Sequence, residues 1–105
     1  KLGLRVKPLT PGASIELGFT NEVAEELGFG PDEKPVVVIE VDSLSQAAEK
    51  GIQVSDIITE IDQERITSTQ HFMRSISTLE KGRSALFWLW RPDRGVDVRA
   101  LRMTD

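Results

Sequence analysis

The eighteen residues from Ser45 to Asp62 constrain this chain more tightly than any other stretch. Ser45 can cap a helix, because its side-chain oxygen can accept from an amide of the first turn. Gln46 to Lys50 form that short helix, and Gly51 closes it with an exit at positive φ. The small Ala47 and Ala48 let the helix lie close to a sheet. Asp56-Ile57-Ile58-Thr59-Glu60-Ile61 reads as a strand, and Asp56 can accept hydrogen bonds from nearby amides at its start. Asp62-Gln63-Glu64 then makes a tight turn, and Arg65-Ile66 starts a brief return strand.

The rest of the chain supplies strands for this unit to join. Leu2 to Lys7 alternates apolar and polar residues, the pattern of a half-buried strand, and Pro8 and Pro11 stop it. Residues 12–19 contain Gly12, Ser14 and Gly18 and read as a loop. Thr20 or Asn21 caps a short helix from Glu22 to Leu27, which Gly28 ends. Pro35 opens a strong strand, Val36 to Val41. Ser68 caps the longest helix, Thr69 to Glu80, with Phe72, Met73, Ile76 and Leu79 at helical spacing. Ser84 to Arg91 and Val96 to Arg102 read as two strands around the turn Pro92-Asp93-Arg94-Gly95. The sum is five to six short strands, one substantial helix and two small ones, an α+β fold that is mainly β. Nothing reads as a linker, so residues 1–105 are expected to form one domain. Glu16-Leu17-Gly18-Phe19 returns as Glu26-Leu27-Gly28-Phe29, an echo too short to define a structural repeat.

Composition excludes several chemistries. With no cysteine there is no disulfide, zinc–thiolate site or thiol nucleophile, and the single His71 cannot form a multi-histidine metal site. Asp42, Asp56, Glu60 and Asp62 lack calcium-loop spacing, so no metal or cofactor is expected. No stretch approaches the ~20 apolar residues of a membrane span, so no direct membrane insertion is expected. Residues 16–64 hold 13 of the 17 acidic residues and only Lys34 and Lys50 as bases, a local charge of −11 against +7 elsewhere. The basic residues near the carboxyl end alternate with apolar ones on strands, and the net charge is −4. Both facts argue against nucleic acid as a partner. Lys1 is not an initiator methionine, and the chain is expected to be a domain of a longer protein.

The run from Ser45 to Asp62 resembles the signature S-P-A-A-x-A-G-I-x-x-G-D-x-I-x-x-I-(D/N)-G of PDZ domains, in the form carried by bacterial Do/HtrA-type serine proteases. Ser55 replaces a glycine, and Gln63-Glu64 replaces an Asn-Gly-type turn. The helix at 69–80 and the strand ending in Arg91 are similar to that family's groove helix and its next strand. Lys1-Leu2-Gly3-Leu4 resembles its carboxylate-binding loop, and this place at the amino end implies the circularly permuted strand order of bacterial PDZ domains. The implied fold is a PDZ-like antiparallel β-sandwich or partly open barrel. Residues between Pro11 and Thr20 look like an insertion or an extended first loop.

The resemblance implies a non-catalytic peptide-binding domain. The catalytic Ser–His–Asp set and G-N-S-G-G loop of the proteases have no match here. An extended peptide, such as the C-terminus of an unfolded protein, would add as a strand beside residues 4–8, with the helix at 69–80 as the opposite wall. The implied peptide-binding residues are Leu2, Gly3, Leu4, Arg5, Val6, Met73 and Ile76. Amides of Leu2, Gly3 and Leu4 would hold the ligand carboxylate, while Leu2, Leu4, Met73 and Ile76 would hold its last side chain. Phe72 and Leu79 are given to the core, and His71 to an exposed helix face. Leu17-Gly18-Phe19 is a competing loop, but a helix-like segment follows it where a pairing strand is needed. A second role is an interaction module for other domains or subunits of the parent protease. It rests on Trp88 and Trp90, which share the strand face opposite Ala85, Phe87 and Leu89. The resemblance also implies a place in the periplasm or cell envelope.

Overall fold

The computed structural model describes residues 2–103. Strand β1 (Leu4–Pro8) is followed by helices α1 (Pro11–Leu17) and α2 (Asn21–Glu26). Then come β2 (Val36–Val41), α3 (Gln46–Glu49), β3 (Ile57–Ile61), the two-residue β4 (Glu64–Arg65) and α4 (Thr69–Ser77). Strands β5 (Ser84–Arg91) and β6 (Gly95–Arg102) complete the chain. All pairings are antiparallel. The sheet runs β1-β2-β3-β5-β6, with β4 paired to β3. The expected mainly β architecture is present as an open sheet with four helices, not a closed barrel.

Strand alternation divides the apolar residues between two faces. On one face Val36, Val38, Ile58, Ile61, Phe87 and Leu89 meet Ala47 of α3 and Phe72 of α4. On the other, Val37, Ile57 and Trp90 meet Leu9, Phe19 and Phe29. The phase expected for β5 holds: Ala85, Phe87 and Leu89 are buried, and Leu86, Trp88 and Trp90 point the other way. Trp90 is covered by Phe19, edge-on at 5.4 Å. Trp88 stays half-buried beside Val98, and Leu86 is exposed.

The segment expected as a loop at 12–19 is helical. Thr10 caps it through Ala13 N–H at 3.2 Å, Pro11 opens it, and Gly18 ends it at φ 77°. Cap and proline outweigh the poor helix propensity of Gly12 and Ser14. Nor is the Leu-Gly-Phe echo confined to four residues. Thr20 caps α2 through Val23 N–H at 3.1 Å, and Gly28 takes φ 89°. Phe19 N–H donates to Ser14 O, and Phe29 N–H donates to Ala24 O, both at 2.9 Å. Residues 10–19 and 20–29 are thus two copies of one unit, each ending in a buried phenylalanine. The two rings meet edge-on at 6.4 Å, which adds about 0.5–1.5 kcal/mol beyond their burial.

Helix α4 stops three residues short of the expected Glu80. Ser77 Oγ donates to Arg74 O at 2.8 Å and Thr78 Oγ1 to Ser75 O at 3.0 Å. These hydroxyls compete for the carbonyls of the last turn.

Candidate functional site

Gly3 and Ser45 bring two distant segments together at one end of β1. Gly3 has φ 80°, and a Cβ placed on it would lie 2.2 Å from the Cβ of Ser45. Only a residue without a side chain fits this turn at this approach. Asp42 N–H donates to Gly3 O at 2.8 Å, and Ser45 Oγ donates to Asp42 O at 2.6 Å. The same Oγ caps α3 by accepting from Ala48 N–H at 3.2 Å.

Strand β1 ends the sheet, so one of its edges is unpaired. Gly3 O bonds toward β2, and alternation then turns the N–H and C=O of Leu4 away from it. Val38 spends its N–H on Asp56 O and its C=O on Ser55 N–H, both at 2.9 Å. Its cross-strand partner Val6 therefore also faces the free edge. The side chains of Leu4 and Val6 pack toward the main core.

Between this edge and α4 runs a groove of about 630 Å³. Its floor and walls include Leu2, Gly3, Leu4 and Arg5 from the amino end, and Phe72, Met73 and Ile76 from α4. Six of the seven residues expected at a peptide site thus line one groove, and Val6 lies on the same strand outside the lining. Lys1 falls outside the described residues. Phe72 is buried in the core as expected, yet it also forms part of the floor. Sequence reasoning missed the β2–α3 side: Glu40, Asp42, Leu44, Ser45 and Gln46. Leu44 carried a signal, as an apolar residue between Ser43 and Ser45 in a polar turn. It is 94% exposed at the lip of the groove, and Met73 opposite is 62% exposed.

Charge at the groove is modest. Arg5 and Glu40 pair across β1 and β2 at 3.1 Å, and both are largely in solvent, so the pair contributes about 0–1 kcal/mol. Behind the groove, Arg91 is buried and donates to both carboxylate oxygens of Asp56, at 3.1 and 3.0 Å, and to Gly51 O. This fixes the loop between α3 and β3. His71 does not occupy the exposed helix face expected for it. Its side chain is only 16% exposed, with Nε2 3.2 Å from Glu64 and Nδ1 accepting from Thr67 N–H at 3.3 Å. Gly18 caps a helix, Phe19 is buried, and α2 follows, so the competing Leu17-Gly18-Phe19 loop adjoins no free strand edge. Glu25 and Glu26 are exposed on α2. Among the described residues no group of His, Asp and Glu could hold a metal ion.

The groove, the glycine turn and the edge strand coincide with a family match over nearly the whole chain: the model of the PDZ domain matches residues 1–100. The chain belongs to the PDZ domain family. This PDZ domain is 23% identical, over 97 residues, to a probable periplasmic serine endoprotease, DegP-like, of Brucella suis. The match covers 92% of the chain but 17% of that relative. Among solved structures, the PDZ domain is similar to the HtrA-type protease AlgW with decapeptide, at TM-score 0.73 and 24% identity. That match covers 99% of the chain and 28% of AlgW. It is also similar to the HtrA3 PDZ domain bound to a phage-derived ligand, FGRWV, at TM-score 0.71 and 22% identity, covering 97% of the chain and 83% of that domain. The PDZ domain corresponds to the non-catalytic part of HtrA-type proteases.

Proposed function

We propose that this PDZ domain captures extended peptides ending in a free carboxylate, as the substrate-recognition or regulatory module of a periplasmic DegP-like protease. The observation that carries this reading is the open edge of β1. Leu4 and Val6 offer outward N–H and C=O groups beside an apolar groove, and the Gly3 turn closes its end. An added strand gains backbone hydrogen bonds along β1 and buries its last side chain among Leu2, Leu4, Met73 and Ile76. Met73 suits a pocket that must accept side chains of different shape. Peptide-bound HtrA-type relatives and the periplasmic naming of the Brucella relative support the assignment.

The test uses the pentapeptide FGRWV with a free or an amidated C-terminus. The free acid should bind with a Kd around micromolar, or roughly −8 kcal/mol. Amidation should weaken binding about tenfold or more, because a charged hydrogen bond contributes about 1.5–3 kcal/mol. Equal binding of the two forms would remove the carboxylate from the reading.

A second reading, an assembly module, is favoured by the outer face of β5 and β6, where Leu86, Val96 and Val98 are exposed around Trp88. Sedimentation of the isolated domain discriminates: concentration-dependent association that Val96→Ser plus Val98→Ser abolishes, with peptide binding intact, would favour assembly.

A further inference from the structure

Gln46 stands where the PDZ signature carries proline, at the first position of α3. It lines the groove, next to the Ser45 that packs on Gly3. Its Oε1 accepts a hydrogen bond from the N–H of Arg102 on β6. A backbone N–H can only donate, so this bond fixes the orientation of the amide and leaves Nε2 as a donor of two hydrogens. No partner for Nε2 is present among the described residues.

The neighbours at this end of the groove are otherwise engaged. Ser45 Oγ donates to Asp42 O and accepts from Ala48 N–H. Asp42 accepts from Leu44 N–H and carries the wrong charge for an anion. Arg5 gives one Nη1 hydrogen bond to Glu40, and its guanidinium stands largely in solvent rather than fixed at the turn. Among the described residues, the amide of Gln46 is therefore the side-chain donor that is already held in place by a second strand, next to the Ser45 that packs on the glycine turn.

We infer that Gln46 supplies a side-chain hydrogen bond to the terminal carboxylate of the bound peptide, next to the amides of the Gly3 turn. This rests on the peptide-capture reading above and adds to it a specificity-determining residue. Because Oε1 is tied to β6, the donor is preorganised and loses little rotamer freedom when a ligand arrives.

Gln46→Glu keeps an acceptor for Arg102 N–H and replaces the donor, so the fold should persist. Gln46→Pro restores the signature residue at a position where proline is tolerated. Melting curves check that both variants fold. The readout is the ratio of Kd values for amidated and free-acid FGRWV. Gln46→Glu should lower that ratio about tenfold or more by weakening the free acid alone, and Gln46→Pro should lower it several-fold. A ratio within twofold of the parent value in both variants would overturn the role of Gln46 while leaving peptide capture standing. Equal binding of both peptides by the parent chain would instead overturn carboxylate capture, and this inference with it.

Discussion

Gly3 is where backbone conformation and packing constrain one residue most severely. A side chain there requires both a left-handed backbone and relief of the 2.2 Å contact with Ser45. Gly3→Ala should destabilise the fold by about 2 kcal/mol or more, read by chemical denaturation, since the conformation alone costs about 1–2 kcal/mol. A midpoint equal to the parent's would show that the turn can move freely. Arg91 presents the opposite case, a residue kept for its partners. Arg91→Ala leaves the buried Asp56 carboxylate without its guanidinium, and should cost about 3–5 kcal/mol in the same assay. Three helix caps were legible, Ser45, Ser68 and, as one of two candidates with Asn21, Thr20, whereas the Thr10 cap of α1 was not. Ser55 at φ 81° and Gln63 at φ 70° were not legible as left-handed from residue type, since neither is glycine.

Two strands end the sheet, and they treat their open edges differently. On β5, the carbonyls of Leu86 and Trp88 bond toward β3, so their partners Ala100 and Val98 face outward from β6. Val98 N–H is then taken by Asp97 at 2.8 Å, and Arg102 N–H by Gln46. Polar side chains thus cover parts of the β6 edge, a device that discourages unwanted pairing, while Leu4 and Val6 on β1 remain open. The Val98 amide and then the Arg99 guanidinium hold the Asp97 carboxyl below its usual pKa of 3.8. A depressed folded pKa means that this stabilisation is present above pH ~4 and is lost as pH falls through the lower folded value. Asp97→Asn should flatten that acid-side loss in melting curves taken from pH ~2 to ~6. Parallel curves for parent and variant would rule the contribution out. Strand positions were legible from period-two alternation, but α1 was not, because seven residues containing Gly12 carry too little periodicity against the loop signal.

At the scale of the molecule, one sheet separates two tasks. The face under α3 and α4 carries the groove, and the paired units 10–19 and 20–29 cover the opposite face over Val37, Ile57 and Trp90, leaving its β5–β6 end exposed. The groove was largely legible, since the glycine turn and the helix spacing of Met73 and Ile76 sit in separate, recognisable motifs. Its third side was not, because Leu44, Ser45 and Gln46 reach it only through the tertiary contact with Gly3. The covering of the second face was hidden for a related reason: Phe19 and Phe29 become neighbours only when both units close. Peptide capture by this domain depends on strand addition at β1. Backbone amide hydrogen exchange with and without saturating free-acid FGRWV measures this residue by residue. Strand addition should slow exchange at Leu4 and Val6 and leave Val98 and Ala100 on β6 unchanged. Unchanged exchange at Leu4 and Val6 while the peptide is bound would contradict it.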